Sequence, residues 1–288
     1  MRRDTEISCQ DPVLHDHPIR AVVHLFGGPY VTVDGHRRAV PEGSKRLLAL
    51  VALGHGRVGR RYAADMLWPV GGDGRAAGNL RSALWRLRGA GIDVVCCNKW
   101  SLGLVAGVRV DARDLGAWAD RVIGGRPWPG DLARVHLDTD ALDLLPGWYD
   151  DWTILERERL RQRLLRALES LSALLSRAGR HADAVESALA AVCAEPLRES
   201  AQRALVEAYL AERNWCEARR ALDAYRDLLA RELGVAPSAD LVALVRAGSP
   251  VCTRSVRSPK VVAGNPAARV SGGRPPLSYL ISAPSLLT

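Results

Sequence analysis

Apolar, β-branched positions predict short strands at two places in the first 110 residues. The segments 21–26 and 30–33 have this character, and the Asp34-Gly35 pair that follows them is typical of a hairpin turn. The segments 92–97 and 101–105 show the same pattern and predict a second hairpin. Strands therefore flank the stretch between these two regions.

Three helices are predicted between the strand regions. The first begins at about Ser44, a candidate N-cap, and ends at the glycine-rich segment 54–59. The second spans roughly residues 60–68 and the third about 74–88. In the second, the buried positions are expected to be Tyr62, Met66 and Leu67. Strands, three helices and a closing hairpin follow one another in the order of a winged helix.

The pattern becomes wholly helical from about residue 155. One apolar stripe repeats at helical spacing, formed by Leu160, Leu164, Leu165, Leu168, Leu171 and Leu175. The stretch 178–184 recurs as 212–218, so that Ala184 maps onto Ala218 at the tetratricopeptide spacing of 34 residues. Two or three helix pairs fit between residues 153 and 247. The fold class expected is mainly α, an N-terminal winged helix-turn-helix (α+β) plus a C-terminal tetratricopeptide-like all-α domain.

Charge divides the chain at about the same place. Residues 20–110 carry a net charge of +9, whereas residues 111–248 carry −4. We expect a winged-helix domain over 20–110 that closes its own core, and a helical domain over 111–248. Residues 1–19 are expected to be flexible, and the basic tail 249–288 to be disordered or to serve as an arm on nucleic acid. A basic block beside an acidic one indicates that the first meets a polyanion.

The third helix carries the most informative pattern. At 100° per residue, its inward positions are Ala76, Leu80, Ala83, Leu84 and Leu87. Arg and Asn are the side chains that pair bidentately with guanine and adenine edges, so the opposite face suits DNA, although a solvated basic face is the alternative. Trp85 could contact DNA, pack on another protein or shield Leu84. Including further basic residues of the first two helices and the hairpin, the candidate DNA-binding residues are Arg75, Asn79, Arg81, Ser82, Trp85, Arg86, Arg88, Lys45, Arg46, Arg60, Arg61 and Lys99.

Motifs for catalysis, cofactors and metals give no candidate site. The segment 54–59 matches GxGxxG but follows a predicted helix, whereas a dinucleotide-binding loop follows a strand, so an inter-helix turn is the better interpretation. Asp150 and Asp151 are expected to cap the next helix, and His15 and His17 lack further ligands nearby. We therefore predict no catalytic residue, no cofactor and no metal.

We expect the protein to be cytoplasmic and associated with the nucleoid, and we expect no membrane contact. The longest uncharged aliphatic run, 47–53, has seven residues, whereas a membrane span needs about 20. The Arg2-Arg3 pair is followed by acidic residues instead of an apolar export signal. The six cysteines contain no CxxC pair, which is typical of reduced thiols.

Residues 43–88 resemble the winged helix of the Streptomyces antibiotic regulatory protein family, which is of the OmpR type. The matching features are Lys45-Arg46-Leu47-Leu48-Ala49, Gly56-Arg57-Val58, Leu67-Trp68 and the helix from Leu80 to Arg88 that ends in RLR. The chain differs at Lys99-Trp100, where the family has a Gly-Tyr pair, and at Trp85, where a small polar residue is common. Motifs at 110–118, 145–171, 178–184, 195–210 and 221–238 resemble the family's bacterial transcriptional activator domain.

The resemblance, which covers about residues 20–247, implies a DNA-binding transcriptional activator of a biosynthetic or adaptive gene cluster. Family members bind short direct repeats of promoter DNA and recruit RNA polymerase. Two protomers are then expected on DNA, with a monomer or weak dimer in solution. The alternatives are a tetratricopeptide adaptor whose basic domain makes only protein contacts and, third, an enzyme that uses the glycine-rich turn.

Overall fold

A computed structural model describes residues 21–54, 56–70, 72–133 and 143–247. The predictions for the segments 1–19 and 249–288, and those for His15 and His17, lie outside the described residues.

Seven strands and nine α-helices follow one another in the described residues. The strands are β1 (Ala21–His24), β2 (Tyr30–Val33), β3 (His36–Ala39), β4 (Val58–Gly59), β5 (Val95–Cys97), β6 (Ser101–Leu104) and β7 (Arg109–Val110). The helices are α1 (Glu42–Leu53), α2 (Arg60–Leu67), α3 (Gly72–Gly89), α4 (Asp111–Ile123), α5 (Asp151–Arg177), α6 (His181–Ala194), α7 (Glu199–Ala211), α8 (Trp215–Glu232) and α9 (Ala239–Ala247).

The first sheet has the strand order β3-β2-β1-β7. Strands β1, β2 and β3 form an antiparallel meander, and β7 pairs in parallel with β1. Asp34 and Gly35 join β2 to β3 with φ angles of 48° and 81°, the left-handed backbone that a two-residue hairpin needs at both positions. The predicted hairpin turn is therefore confirmed.

Helices α1, α2 and α3 precede the antiparallel hairpin of β5 and β6, and β4, which lies between α1 and α2, pairs with β6 to complete a second sheet of order β4-β6-β5. The glycine-rich segment 54–59 lies between α1 and α2, as the inter-helix interpretation predicted. Helices alone follow from α5 onward. The predicted fold class, a mainly α chain with a small N-terminal α+β part and an all-α C-terminal part, is confirmed.

Two local predictions in this region are wrong. Helix α1 begins two residues before Ser44, after an N-cap at Pro41. Ser44 is buried instead, and its hydroxyl donates a hydrogen bond to the Ala83 carbonyl at 2.8 Å. Tyr62 is 57% exposed, because the inner face of the short helix α2 passes through Ala63 beside it.

The N-terminal core is not closed by residues 20–110 alone, contrary to expectation. Leu144 and Leu145 are buried in the same cluster as the side chains of α1 and α3. The Arg157 guanidinium of α5 holds this segment by donating hydrogen bonds to the carbonyls of Leu144, at 2.8 Å, and Leu145, at 2.6 Å. Trp148 and Trp152 pack against the same core, and their rings lie edge to face with centroids 6.4 Å apart.

Helices α5 to α8 form two successive antiparallel pairs, and α9 packs against α7 and α8. The predicted repeat is confirmed at its central position, because Ala184 and Ala218 are both fully buried and each is the fourth residue of its helix. A small residue at this point lets neighbouring helices approach closely. Most of the predicted leucine stripe of α5 is buried, and Leu160 at its start is half-buried.

Asp111, the first residue of α4, joins the first sheet to the helical region. Its carboxylate accepts hydrogen bonds from the backbone N–H groups of Leu25, at 2.9 and 3.0 Å, and Phe26, at 3.3 Å. It also accepts one from the N–H of Ala112 at 2.7 Å. Burial raises the pKa of Asp111 above its ordinary value, although these backbone hydrogen bonds act in the opposite direction.

Replacing Asp111 with alanine should lower the free energy of unfolding by about 1–3 kcal/mol, because the N–H of Leu25 loses its acceptor.

The raised pKa means that the folded protein keeps a proton on this carboxyl at pH values where the unfolded chain has released it. The stabilisation by Asp111 is then fully present below the ordinary pKa and declines as the pH rises through the raised one. Urea denaturation of both proteins at about pH 4 and about pH 7 measures this, and a difference that grows with pH would contradict it.

Candidate nucleic-acid interface

Helix α3 separates an apolar face from a basic face, as its periodicity predicted. The five predicted inward residues, Ala76, Leu80, Ala83, Leu84 and Leu87, are all buried in the N-terminal core. On the other side, Arg75, Arg81, Ser82, Trp85, Arg86 and Arg88 are exposed and Asn79 is half-buried. The side of the helix opposite the core thus presents four arginines to solvent, together with Trp85.

The arginines of this face carry uncompensated charge. Within the described part of the chain, none of Arg75, Arg81, Arg86 and Arg88 forms an ion pair, although ion pairs are frequent elsewhere. Asp73 is the only acidic residue of α3, and it pairs with Arg61 of α2 at 2.9 Å. Unpaired guanidinium groups on one helix face create a local positive potential suited to phosphates or to guanine edges.

Two of these arginines also contact neighbouring elements of the N-terminal region. A Cβ atom placed on Gly43, in the first turn of α1, would collide with Nη1 of Arg86, so the Arg86 guanidinium rests directly over that glycine. Nη2 of Arg88 lies 3.9 Å from Sγ of Cys97 in strand β5. Both side chains are therefore held beside the neighbouring elements while remaining exposed.

The hairpin between β5 and β6 has an ordered tip. The Asn98 side-chain oxygen accepts hydrogen bonds from the backbone N–H groups of Trp100, at 2.9 Å, and Ser101, at 2.8 Å. Arg57 donates from Nε to the Ser101 hydroxyl at 2.7 Å. This fixes Lys99 and Trp100 at the tip, where the Lys99 ammonium lies 5.1 Å from the centre of the Trp100 ring and both side chains are exposed.

The other predicted contact residues are distributed around this surface. Lys45 of α1 pairs with Glu42 at 2.6 Å, and Arg61 pairs with Asp73. Nη1 of Arg60 donates to the Asn98 carbonyl at 3.3 Å and so links α2 to the hairpin tip.

Arg57 and Trp100 belong to the same region but were not among the predicted residues. The Asn98 turn, a common use of asparagine, is the sequence signal that could have indicated them.

Arg46 has a structural partner. Its guanidinium forms an ion pair with Asp150, immediately before α5, and also donates to the Leu67 carbonyl at 3.4 Å. Asp150 is the N-cap residue of α5 but makes no side-chain cap hydrogen bond, so the predicted capping by the carboxylates of Asp150 and Asp151 is wrong for Asp150. The ion pair connects the three-helix region to the helical region instead.

A double-mutant cycle on Arg46 and Asp150 should show their coupling as an interaction energy of about 1 kcal/mol in unfolding, because the pair is only partly exposed. Arg46→Ala and Asp150→Ala should each lower the melting temperature, and the second change should add little to the first. If Arg46 acts only in this contact, Arg46→Ala leaves DNA affinity unchanged. A loss of affinity in Arg46→Ala that persists in the Asp150→Ala background would instead assign Arg46 to DNA.

Metal and membrane sites give no further candidates in the described ranges. No group of three or more His, Cys, Asp or Glu residues there could hold a metal ion, and the four cysteines described are free. None of the described helices has both the length and the apolar character to cross a bilayer.

Comparison with known proteins finds one domain-family match, in the helical part of the chain. Residues 136–247 match the bacterial transcriptional activator domain. The matched range lies within the span 111–248 that the sequence analysis assigned to this domain, and it supports the second part of the predicted resemblance. No curated protein sequence matches the chain.

The fold is similar to a solved structure described as Mycobacterium tuberculosis EmbR in complex with low affinity phosphopeptide. The two are 21% identical in sequence with a TM-score of 0.61, over 80% of this chain and 65% of the other. The present chain thus spans about two thirds of the length of that structure. The domain match thus concerns the helical part of the chain, and the shared fold supports the mainly α architecture with its small N-terminal α+β part.

Proposed function

We propose that this protein is a sequence-specific DNA-binding transcriptional activator whose helix α3 reads promoter DNA in the major groove. The observation that carries the proposal is the outward face of α3, where four exposed arginines lie without a carboxylate partner among the described residues. Unpaired arginines on a helix that follows two others and precedes a hairpin suit direct base readout by α3 with phosphate contacts around it.

The ordered tip of the β5–β6 hairpin supports a second contact with the same DNA. Lys99 and Trp100 project from a turn that Asn98 and Arg57 stabilise, and Arg60 reaches the same turn from α2. We expect Lys99, Arg60, Arg61 and Lys45 to contact phosphates, because single charges on the rim of a reading helix orient the protein without specifying sequence.

The helical region serves a different role in this proposal. Its net negative charge over residues 111–248 opposes contact with phosphates, so it contributes little DNA affinity. Stacked helix pairs form extended surfaces that bind proteins, and the matched domain family is one of transcriptional activators. We therefore expect this region to contact RNA polymerase and to arrange two weakly associated protomers on direct repeats.

The proposal places the protein in the cytoplasm on the nucleoid and assigns it no enzymatic activity. The glycine-rich segment 54–59 follows helix α1 and ends in the two-residue strand β4, so it lacks the preceding strand of a dinucleotide site.

Selection from a random duplex library with the full chain tests the proposal. We expect enrichment of one short motif present twice in the same orientation, since head-to-tail protomers read direct repeats. A parallel selection on the bare support is the control. If no motif is enriched, the protein is not a sequence-specific DNA binder, and the adaptor interpretation takes its place. Transcription from a template with the selected motif upstream should then rise when the protein is added to RNA polymerase.

A further inference from the structure

We infer that Trp85 is a specificity-determining residue that contacts the 5-methyl group of a thymine in the major groove. The inference rests on the proposed function, since it requires α3 to lie in that groove. It goes beyond the arginine contacts, because it names one base and one chemical group that the protein recognises.

The position of Trp85 makes its indole the most prominent group on the outward face of α3. Trp85 is 75% exposed, although its neighbour Leu84 is buried in the core. Two of the four positions one turn away hold small residues, Ser82 and Gly89, and the other two hold Arg81 and Arg88. With three quarters of its surface exposed, the ring stands above the helix surface, whereas Leu84 lies in the core.

The charge around Trp85 favours DNA over a protein partner. Arg81 and Arg88, four residues before and three residues after it, are exposed and form no ion pair among the described residues. A second copy of the chain related by two-fold symmetry would bring the same positive surface and would be repelled. An apolar pocket on another protein would have to bury these guanidinium groups, whereas DNA offers them phosphates within reach.

The chemistry of the indole selects one feature of the major groove. The side chain has a large apolar surface and one N–H donor but no acceptor. The 5-methyl group of thymine is the apolar group that base pairs display in the major groove, and it is absent from the minor groove. Burying one methyl group against the ring is worth about a fourfold change in affinity, by the cost of exposing one CH₂ group.

Deoxyuridine substitution tests the contact, because uracil differs from thymine by this methyl group alone. Using the full chain and the duplex obtained by selection, each thymine is replaced in turn and the dissociation constant is measured by fluorescence anisotropy. We expect about fourfold weaker binding at one thymine per half-site for the natural protein. The Trp85→Ala variant should bind the substituted and the unsubstituted duplex with equal affinity. Its affinity for both should be lower than that of the natural protein for the unsubstituted duplex.

Trp100→Ala is the matched control. Trp100 is also 75% exposed and lies beside a basic residue, but it projects from the hairpin instead of α3. Its removal should weaken binding to the substituted and the unsubstituted duplex by the same factor, so that the fourfold effect of deoxyuridine is retained. Thermal melts of both variants should match the natural protein, since both side chains are exposed.

Each remaining outcome overturns the inference in a distinguishable way. A selected motif without thymine, or a deoxyuridine effect that persists in Trp85→Ala, refutes the contact while the proposed function stands. If Trp85→Ala changes self-association but not sequence preference, the indole contacts protein. If the full chain selects no motif at all, the proposed function fails together with the inference.

Discussion

Replacing Arg81, Arg86 and Arg88 together with alanine should weaken binding to the selected duplex by more than a hundredfold. A base-reading arginine contributes about 1–3 kcal/mol and a phosphate-contacting one weakens all sequences alike, so three losses amount to about 3 kcal/mol or more. These side chains have no carboxylate partner among the described residues, so their charge is available to DNA. Anisotropy titrations at fixed salt measure the change.

The matched control removes the same charge from the helical region. Arg219, Arg220 and Arg226 of α8 are exposed and pair with acidic neighbours, and their replacement with alanine should leave affinity nearly unchanged. Because Arg86 rests over Gly43 and Arg88 touches Cys97, a thermal melt of the α3 variant must accompany the titration. Unchanged affinity in a folded α3 variant would remove α3 from the interface.

A fragment that ends at residue 123 should fail to fold cooperatively. It would lack Leu144 and Leu145, which are buried in the N-terminal core, and the two tryptophans that pack beside them. It would also expose the inner face of α4, which contacts α5 in a second core through residues that include the fully buried Trp118. Exposed apolar area of this kind promotes aggregation.

A fragment that ends at residue 247 is the comparison, because it retains every core residue described. It should melt in one transition, whereas the fragment 1–123 should show a gradual loss of circular dichroism and should sediment as aggregates. A soluble fragment 1–123 with a sharp melt would show that the N-terminal region closes its own core, as the sequence alone suggested.

Local periodicity was sufficient to predict helix α3 and its two faces. The inward and outward faces of α3 follow from a repeat of 3.6 residues, since one apolar stripe per helix must face the core. The Asp34-Gly35 turn and the equivalence of Ala184 and Ala218 could also be predicted from the sequence. The first depends on the local backbone and the second on a short repeat.

Contacts between distant residues could not be predicted in this way. Ser44 is of a residue type that is favoured at N-caps, but its hydroxyl donates a hydrogen bond to the Ala83 carbonyl across the core. Arg46 resembles the other basic residues of its helix, and only the folded chain brings it to Asp150. The two-residue strand β7 is too short to carry a pattern, and its parallel pairing with β1 depends on where α4 begins.

These contacts also bear on how the two regions work together. Asp111 joins the first sheet to α4, Arg157 holds the Leu144–Leu145 segment, and Arg46 reaches the start of α5. The helical region is therefore fixed to the three helices that would meet DNA. A partner bound to it would sit at a defined position relative to the promoter, which favours recruitment through a rigid arrangement.

The salt dependence of binding to the selected duplex tests the central claim most directly. A protein that reads DNA through phosphates and arginines releases counterions, so the logarithm of the association constant should fall linearly with the logarithm of salt concentration, by about 0.9 per phosphate contacted. We expect a steep slope for the natural protein, and a slope smaller by about one for each phosphate-contacting arginine removed from α3. A slope near zero for the natural protein, or an equally steep slope together with an unchanged association constant in the α3 variant, would contradict DNA recognition by this helix.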